Sequence, residues 1–450
     1  MNSVIKRIIS LFIVAALTGG IWFQTDTFAR RKEFALKVGK NSEVITYGEY
    51  DEELLSEFRA KSAAIEKLAS ESGMSDNTEF SNQIKGLFTE LYLFLKDIVT
   101  AGGEVRDADS AEAEFMKIFN GLFELDTQLY KVSPNSMGEL TNKGFVTAAI
   151  SIVWDIVTFY DNNRVDSQTM ETGVTRLEDI PYIDDGNNAH MLDIFYPEGT
   201  AEKLPVIIDI HGGGLMMGDK DSNRVYCSVL AKRGYTVIAI NYRLSPDVLY
   251  PSQIQDVIAA FKWIRENADA YYCDLDRVYV TGDSAGGQLA YYAPLADSSE
   301  TLRELYGIEP SGLEIDALGL VSGMFDFKNG FNAPLISCYL GFDYKNSPYY
   351  NYLQPDEVLD LGVLPPCYVV TCARDFLHAS GVYFDDILTE KGIEHQFRDW
   401  PLSLNRSSGH ITSVAYPELD ESKQTIDEML AFFESHTSVN EVSDETVQQH

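Results

Sequence analysis

From residue 163 onward the chain alternates short apolar runs with segments of helical length, and this alternation constrains the fold most strongly. The runs are near-continuous in Val, Ile and other apolar residues, which is typical of strands buried on both faces of a parallel sheet. Together with the helical segments they form a βαβ pattern, so we predict an α/β fold with a mostly parallel central sheet flanked by helices. The predicted strands are 206–210, 236–242, 277–282, 317–322 and 367–372, and the predicted helices include 253–268, 286–295 and 380–391.

Two earlier runs, 177–183 and 190–196, alternate apolar and polar residues and predict an antiparallel edge of the sheet. The region before them, 30–165, is all-helical by pattern. Between residues 49 and 164, apolar residues recur at spacings of three and four, and the breaks are rich in Gly, Ser, Asn or Pro. We expect four amphipathic helices there, whose apolar stripes are packing faces rather than a site.

The first 29 residues have the pattern of a targeting signal. Lys6 and Arg7 precede an apolar run over 8–23. Thr27 and Ala29 then supply small residues at the two positions that a signal peptidase recognises. The run is short for the roughly 20 residues that span a bilayer, so we favour a cleaved export signal over an uncleaved N-terminal anchor. At the other end of the chain, residues 438–450 are predicted to form a disordered tail.

Charge and cysteine content exclude several classes of protein. The 450 residues include 35 Lys+Arg and 69 Asp+Glu, a net charge of −34, which argues against a nucleic-acid partner. The five cysteines show no C-x-x-C or C-x-x-H spacing for zinc, and their odd number leaves at least one thiol free. Cys367 and Cys372 lie five positions apart on one predicted strand, so they face opposite sides and cannot bridge each other.

The hexapeptide GDSAGG at 282–287 ends one predicted strand and begins a predicted helix. This is the arrangement of a nucleophile elbow, in which a serine sits on a tight strand-to-helix turn and the glycines leave room for the backbone to double back. The pentapeptide G-x-S-x-G alone is weak evidence, because a chain of this length contains it by chance at an appreciable frequency. We nevertheless predict that Ser284 is a nucleophile, because a second motif accompanies it.

That second motif is HGGG at 211–214, which follows the predicted strand 206–210 and lies about 70 residues before Ser284. Consecutive glycines allow backbone N–H groups to point at a developing alkoxide. The two motifs, each in register with a strand, favour a hydrolase over a glycine-rich turn that merely closes a strand.

With these motifs, and with NYRLSPD at 241–247, the sequence resembles the hormone-sensitive-lipase-like branch of the α/β-hydrolase superfamily. The resemblance covers about 176–433. It implies an α/β-hydrolase catalytic domain, which we place at 166–437. It also implies that chain preceding the first strand helps to build a cap over the serine. Here two alternatives stay open: the apolar segment 145–160 contributes to such a cap, or all four helices pack only on one another.

Carried over residue by residue, the resemblance implies a complete acyl-transfer site. His211 organises the oxyanion loop rather than acting as the base, and Gly212 shapes its turn. Leu215 stands where the family commonly has an aromatic residue, so the resemblance does not define the wall of the pocket. The implied nucleophile is Ser284, and the implied oxyanion donors are the N–H groups of Gly213, Gly214 and Ala285.

A serine hydroxyl needs an imidazole to accept its proton, and the imidazole needs a carboxylate to fix its tautomer. The chain order in this fold is serine, acid, histidine. Asp375 lies just past the predicted strand 367–372, where the family keeps its acid. Its rivals are Asp326 and the helix-borne pair Asp385 and Asp386.

For the base we predict His410, which lies 35 residues after Asp375, in a loop before the C-terminal helix. His395 begins the preceding strand and His378 is close to the proposed acid, so both are expected to be structural or surface residues. The remaining histidines lie outside the required order or in the tail: His190, His436 and His450.

These residues predict an exported serine hydrolase that cleaves carboxylic esters. The family resemblance implies short to medium acyl chains, acetyl esters included, and leaves the alcohol open among a simple ester, a lipid and an acetylated polysaccharide. No metal or organic cofactor is implied. The expected partner is a small-molecule or carbohydrate ester, with membrane association only through the N-terminal segment. Two alternatives stay open: a peptidase of the same fold, which HGGG disfavours, and a non-catalytic cell-surface binding module on this scaffold, which a filled triad disfavours.

Overall fold

The computed structural model describes residues 83, 86–87, 90–91, 117–125, 145–330, 333–401 and 409–437. The predicted export signal at 1–29, the predicted helices before residue 83 and the predicted tail at 438–450 lie outside these residues. Within the described ranges, no helix combines the length and apolar character that crossing a membrane requires.

One eight-stranded sheet forms the centre of the fold, with the strand order β1-β2-β4-β3-β5-β6-β7-β8. The first two strands are antiparallel to their neighbours, and all pairs from β4 and β3 to β8 are parallel. The predicted mostly parallel sheet with an antiparallel edge is confirmed. The strands are β1 (Val174–Pro181), β2 (Met191–Pro197), β3 (Leu204–Ile210), β4 (Thr236–Ile240), β5 (Cys273–Asp283), β6 (Ala317–Val321), β7 (Cys367–Cys372) and β8 (His395–Trp400).

Helices connect the parallel strands, and the three predicted between strands are found within three residues of their expected ends. Positions 83, 86–87, 90–91 and 117–125 are also helical. The helices with printed bounds are α1 (Phe145–Asp166), α2 (Arg224–Lys232), α3 (Ser252–Asn267), α4 (Ala285–Ser298), α5 (Glu300–Tyr306), α6 (Phe327–Gly330), α7 (Ala333–Leu340), α8 (Pro355–Val358), α9 (His378–Lys391), α10 (Thr412–Ala415) and α11 (Asp420–Ser435).

The chain forms two compact units. The first consists of Met1–Asp161 and Phe331–Tyr344, so a segment from within the predicted domain 166–437 is grouped with the chain that precedes it. Most of its described apolar positions are buried, as the helical stripes predict, and the half-buried ring of Phe123 stacks on that of Phe342 with centroids 5.3 Å apart. The second unit, Asn162–Gly330 and Lys345–His450, contains the sheet.

The sheet is the core of the second unit. Every residue of β4, β6 and β7 is buried, which agrees with the continuous apolar runs from which these strands were predicted. All five cysteines are buried and free. The apolar interior thus contains the thiols without disulfides.

A buried carboxylate anchors the antiparallel edge. The side chain of Asp193 on β2 is fully buried, accepts a hydrogen bond from Arg176 Nε at 2.8 Å and lies 3.1 Å from Lys220 Nζ. It also accepts the Asp179 amide at 2.9 Å. Because a buried ion pair that loses one partner leaves an uncompensated charge, this carboxylate matters more for stability than surface ion pairs do.

Asp193→Ala is expected to lower the free energy of unfolding by about 3 kcal/mol, because two largely buried cations lose a shared partner. Urea unfolding measures the change. Glu178→Gln is the matched control: Glu178 lies 2.9 Å from the same Arg176, but its side chain is 59% exposed, so the cost should stay below about 1 kcal/mol. Equal costs in the two variants would contradict the role of burial.

Candidate active site

Ser284 occupies the turn between β5 and α4, with φ 54° and ψ −118°. This left-handed backbone conformation is strained for a residue with a side chain. The glycines of GDSAGG make the turn sterically feasible: a Cβ on Gly282 would lie 2.3 Å from the Gly286 carbonyl oxygen, and one on Gly286 would lie 1.9 Å from the Ile210 carbonyl oxygen. The Ser284 amide donates to the Val321 carbonyl at 2.9 Å, which fixes the turn on the adjacent strand.

The HGGG segment follows β3 and lies against this turn. A Cβ on Gly212 would lie 2.9 Å from the backbone carbonyl oxygen of Asp283, 2.3 Å from Asp283 Oδ2 and 3.1 Å from Ser284 Cβ, so the close approach of the loop to this turn requires a glycine. Gly213 and Gly214 have φ of 105° and 61°, values that glycine adopts readily. Ala285 is the first residue of α4, so its N–H has no partner within the helix. The predicted donors Gly213 and Gly214 thus directly follow the glycine that contacts the Ser284 turn, and Ala285 begins the helix after it.

His211 is buried beside this loop and is engaged in holding it. Its Nδ1 donates to the Gly212 carbonyl at 2.8 Å, and its ring stacks on Tyr242 with centroids 4.3 Å apart. Burial lowers the pKa of His211, which favours the neutral imidazole. The geometry therefore supports a loop-organising histidine. The neighbouring Leu215 is buried, and its carbonyl accepts the Ser245 amide at 2.8 Å.

Asp375 and His410 are brought together from two different loops. Asp375 follows β7, and His410 lies between β8 and α10; His410 Nδ1 is 2.8 Å from Asp375 Oδ1. The same carboxylate oxygen accepts the Leu377 amide at 2.8 Å. Burial by itself raises the pKa of Asp375, but the facing His410 and these hydrogen bonds bring it below the ordinary value. Asp375 is therefore ionised at neutral pH and can hold the imidazole in one tautomer.

The ring of His410 also lies against Phe376, with centroids 4.1 Å apart. Its side chain is 17% exposed, so it remains partly accessible. Both Ser284 and His410 are described, and no hydrogen bond joins their side chains. Catalytic hydrogen bonds are often long without substrate and shorten in the complex, so proton transfer requires the two groups to approach each other when an ester binds.

The rival acids and bases are engaged elsewhere. Asp326 accepts a hydrogen bond from Gln354 Nε2 at 2.7 Å, and Asp386 is exposed. His450 lies outside the described residues. The other rival histidines each contact a carboxylate other than Asp375: His395 with Asp385 at 3.0 Å, His378 with Asp399 at 2.9 Å, His190 with Asp185 at 2.8 Å and His436 with Glu394 at 2.9 Å.

Sequence reasoning missed a buried polar cluster beneath the turn, formed by Asp209, Asn223 and Asp283. Asn223 Nδ2 donates to Asp209 Oδ2 at 3.1 Å and to Asp283 Oδ1 at 2.8 Å. Burial and the neighbouring Asp283 raise the pKa of Asp209 to about 7. The available signal was the single carboxylate that interrupts the apolar run VIIDI, because a charged residue in a buried strand needs a polar partner.

Among the residues that the structure describes, no group of three or more His, Cys, Asp or Glu side chains is placed to hold a metal ion.

Known proteins are similar to this chain in sequence and in fold. A family model named BD-FAE matches residues 192–332. The chain is 26% identical over 230 residues to the versiconal hemiacetal acetate esterase of Dothistroma septosporum, covering 46% of this chain and 68% of the relative. It is 27% identical over 258 residues to the carboxylesterase NlhH of Mycobacterium tuberculosis, covering 54% and 75%. The structure of esterase B from Lactobacillus rhamnosis superimposes with a TM-score of 0.61 at 26% identity, covering 66% of this chain and 96% of that one.

The sheet order, the elbow at its centre and these relatives define the chain as an α/β-hydrolase. Within that superfamily it is a carboxylesterase-like hydrolase. The predicted fold class and enzyme class are thereby confirmed.

Proposed function

We propose that the chain hydrolyses carboxylic esters with Ser284 as nucleophile, His410 as general base and Asp375 as the acid that orients it. The observation that carries the proposal is the 2.8 Å contact between His410 Nδ1 and the buried Asp375 carboxylate. Both residues follow strands whose carboxyl ends lie at the same edge of the parallel sheet as the end of β5, where Ser284 stands.

The proposed reaction is a two-step acyl transfer. His410 takes the hydroxyl proton of Ser284 as the oxygen attacks the ester carbonyl, and the N–H groups of Gly213, Gly214 and Ala285 receive the developing alkoxide. Protonated His410 then gives its proton to the departing alcohol. Water repeats the sequence on the acyl-enzyme and releases the carboxylic acid and free serine.

For the substrate we propose esters with short to medium acyl chains, acetyl esters included, on a small-molecule or carbohydrate alcohol. One relative is described as an acetate esterase, and esterase B was solved with a tributyrin phosphonate inhibitor. The net charge of −34 gives no attraction for a polyanionic substrate and is consistent with a neutral ester.

A series of p-nitrophenyl esters from acetate to decanoate tests this proposal. We expect kcat/KM to be highest for chains of two to six carbons and to fall beyond eight. Peptide p-nitroanilides are the comparison substrates, since some proteins of the same fold are peptidases. Faster cleavage of the anilides than of every ester would replace the esterase proposal by a peptidase.

We also propose that the protein is exported and that residues 1–29 are removed. The support is the sequence pattern: two basic residues, a 16-residue apolar run and small residues ending at Ala29. N-terminal sequencing of protein recovered from the producing cell should begin near Arg30. An intact Met1 in the membrane fraction would indicate an anchor instead, and an intact Met1 in the cytosol would contradict export.

A further inference from the structure

The buried cluster of Asp209, Asn223 and Asp283 lies directly beneath the oxyanion loop, and nothing in the acyl-transfer steps uses it. The three residues are 1%, 3% and 2% exposed. Asp209 on β3 pairs in register with Thr281 on β5, so Asp283, two positions further on, projects from the same face of the sheet. The cluster therefore connects the two strands that end in the HGGG loop and in the nucleophile.

The Asp283 carboxylate contacts the oxyanion loop itself. Its Oδ1 accepts the Gly212 amide at 3.2 Å, in addition to the Asn223 side chain. The carbonyl group of Gly212 is also held, because its oxygen accepts a hydrogen bond from His211 Nδ1 at 2.8 Å. Gly212 directly precedes Gly213 and Gly214, so its orientation determines where their amides point.

Asn223 is committed to this cluster rather than to its own helix. It is the N-cap residue of α2, a position where an asparagine side chain usually accepts a hydrogen bond from the helix, yet it makes no such bond here. Its amide nitrogen instead donates to Asp209 and Asp283. Two neighbouring carboxylates are costly to bury, and apolar residues would fill this space at lower cost, so a structural role alone explains the arrangement poorly.

We propose that Asp283 and Asn223 are positioning residues for the reaction: they fix the Gly212 peptide and, through it, the Gly213 and Gly214 amides that stabilise the alkoxide. The proposal rests on the proposed function. Oxyanion donors contribute to the rate only when they are preorganised, and a misplacement of about 1 Å can cost about 10²-fold. Substrate binding before attack depends little on these amides, so the effect should fall on kcat.

Three variants separate positioning from general stability. Asp283→Ala removes the acceptor of the Gly212 amide, Asn223→Ala removes the group that holds Asp283, and Asp283→Asn keeps an acceptor oxygen. Asp209→Asn is the matched control, because Asp209 is equally buried in the same cluster but makes no contact with Gly212. Urea unfolding of each variant reports the fold separately from activity.

For each variant, kcat, KM and the affinity for a trifluoromethyl ketone are measured. This inhibitor forms a tetrahedral alkoxide on the serine, so its affinity reports the oxyanion hole. We expect Asp283→Ala to lower kcat by about 10- to 100-fold with KM within about threefold, and to weaken the ketone by a similar factor. Asn223→Ala should give a smaller loss, and Asp283→Asn should recover part of the activity.

The proposal is overturned if folded Asp283→Ala keeps the wild-type kcat and ketone affinity, if kcat falls without any loss of ketone affinity, or if Asp209→Asn causes the same loss. If Asp283→Ala does not fold, Asn223→Ala and Asp283→Asn decide by the same criteria. Ser284→Ala is measured in parallel: if it retains wild-type turnover, the proposed function itself fails, which these variants alone would not indicate.

Discussion

Ser284→Ala is expected to lower kcat for ester hydrolysis by at least about 10³-fold, because the remaining activity can come only from the oxyanion hole and substrate binding. Ser284 lies on the strand-to-helix turn with φ 54°, and the glycines on either side allow this tight turn because a Cβ on them would clash with the backbone. The rate of p-nitrophenyl acetate hydrolysis measures the loss. Alanine fits the same backbone as serine, so the variant should unfold at nearly the wild-type urea concentration.

Ser298→Ala is the matched control, since Ser298 lies at the opposite end of the same helix and is exposed. Its kcat should stay within about twofold of wild type. A Ser284→Ala protein that turns over esters as fast as the Ser298→Ala protein would show that the nucleophile lies elsewhere.

Asp375→Asn is expected to lower kcat by about 10⁴-fold while leaving the fold intact. The ionised Asp375 accepts from His410 Nδ1 at 2.8 Å and so keeps Nε2 free to take a proton. A carboxamide in its place can donate to Nδ1 instead, which stabilises the tautomer that cannot act as a base. The pH dependence of kcat should change as well, because the imidazolium loses its counter-charge.

Asp326→Asn serves as the comparison, because Asp326 was the rival acid and its carboxylate is bound to Gln354 rather than to a histidine. We expect a change in kcat below about threefold. Loss of activity in Asp326→Asn with little loss in Asp375→Asn would reassign the acid.

The sequence predicts most of the sheet because its central strands are buried on both faces and therefore continuously apolar. β7 has the predicted bounds, and β4 and β6 end within two residues of theirs. β5 is the larger departure: it begins at Cys273, four residues before the predicted start, in the polar stretch CDLD. Those residues are in the strand because Leu204 and Pro205 pair with Cys273 and Asp274. The local sequence pattern around Cys273 gives no indication of this pairing with β3.

Helix α1 shows the same limit. Its apolar stripe ends near Tyr160, but the helix continues to Asp166 through a segment in which only Val165 is apolar. Arg164 in this last turn donates to the carbonyls of Ala415 and Ser222 at 3.1 and 3.3 Å. These partners lie far away in the sequence, so the pattern that predicts helix to about residue 165 gives no indication of the contacts that hold its last turn.

In the site, the residues with motif neighbours were predictable and the supporting residues were not. Ser284 and the loop glycines stand in short motifs that follow strands, and chain order narrows the choice of acid and base. Asn223 has no motif, and its role depends on contacts with Asp209 and Asp283, which only the packing of β3 against β5 brings together.

The most direct test of the central claim, that Ser284 is a nucleophile activated by His410 and Asp375, is to locate the adduct of a fluorophosphonate by mass spectrometry of the digested protein. We predict one phosphonate per chain, on the peptide that contains Ser284, with labelling slowed at least about 10²-fold in His410→Ala and Asp375→Asn. Folded wild-type protein that stays unlabelled, or that carries the adduct on another residue, would contradict the claim.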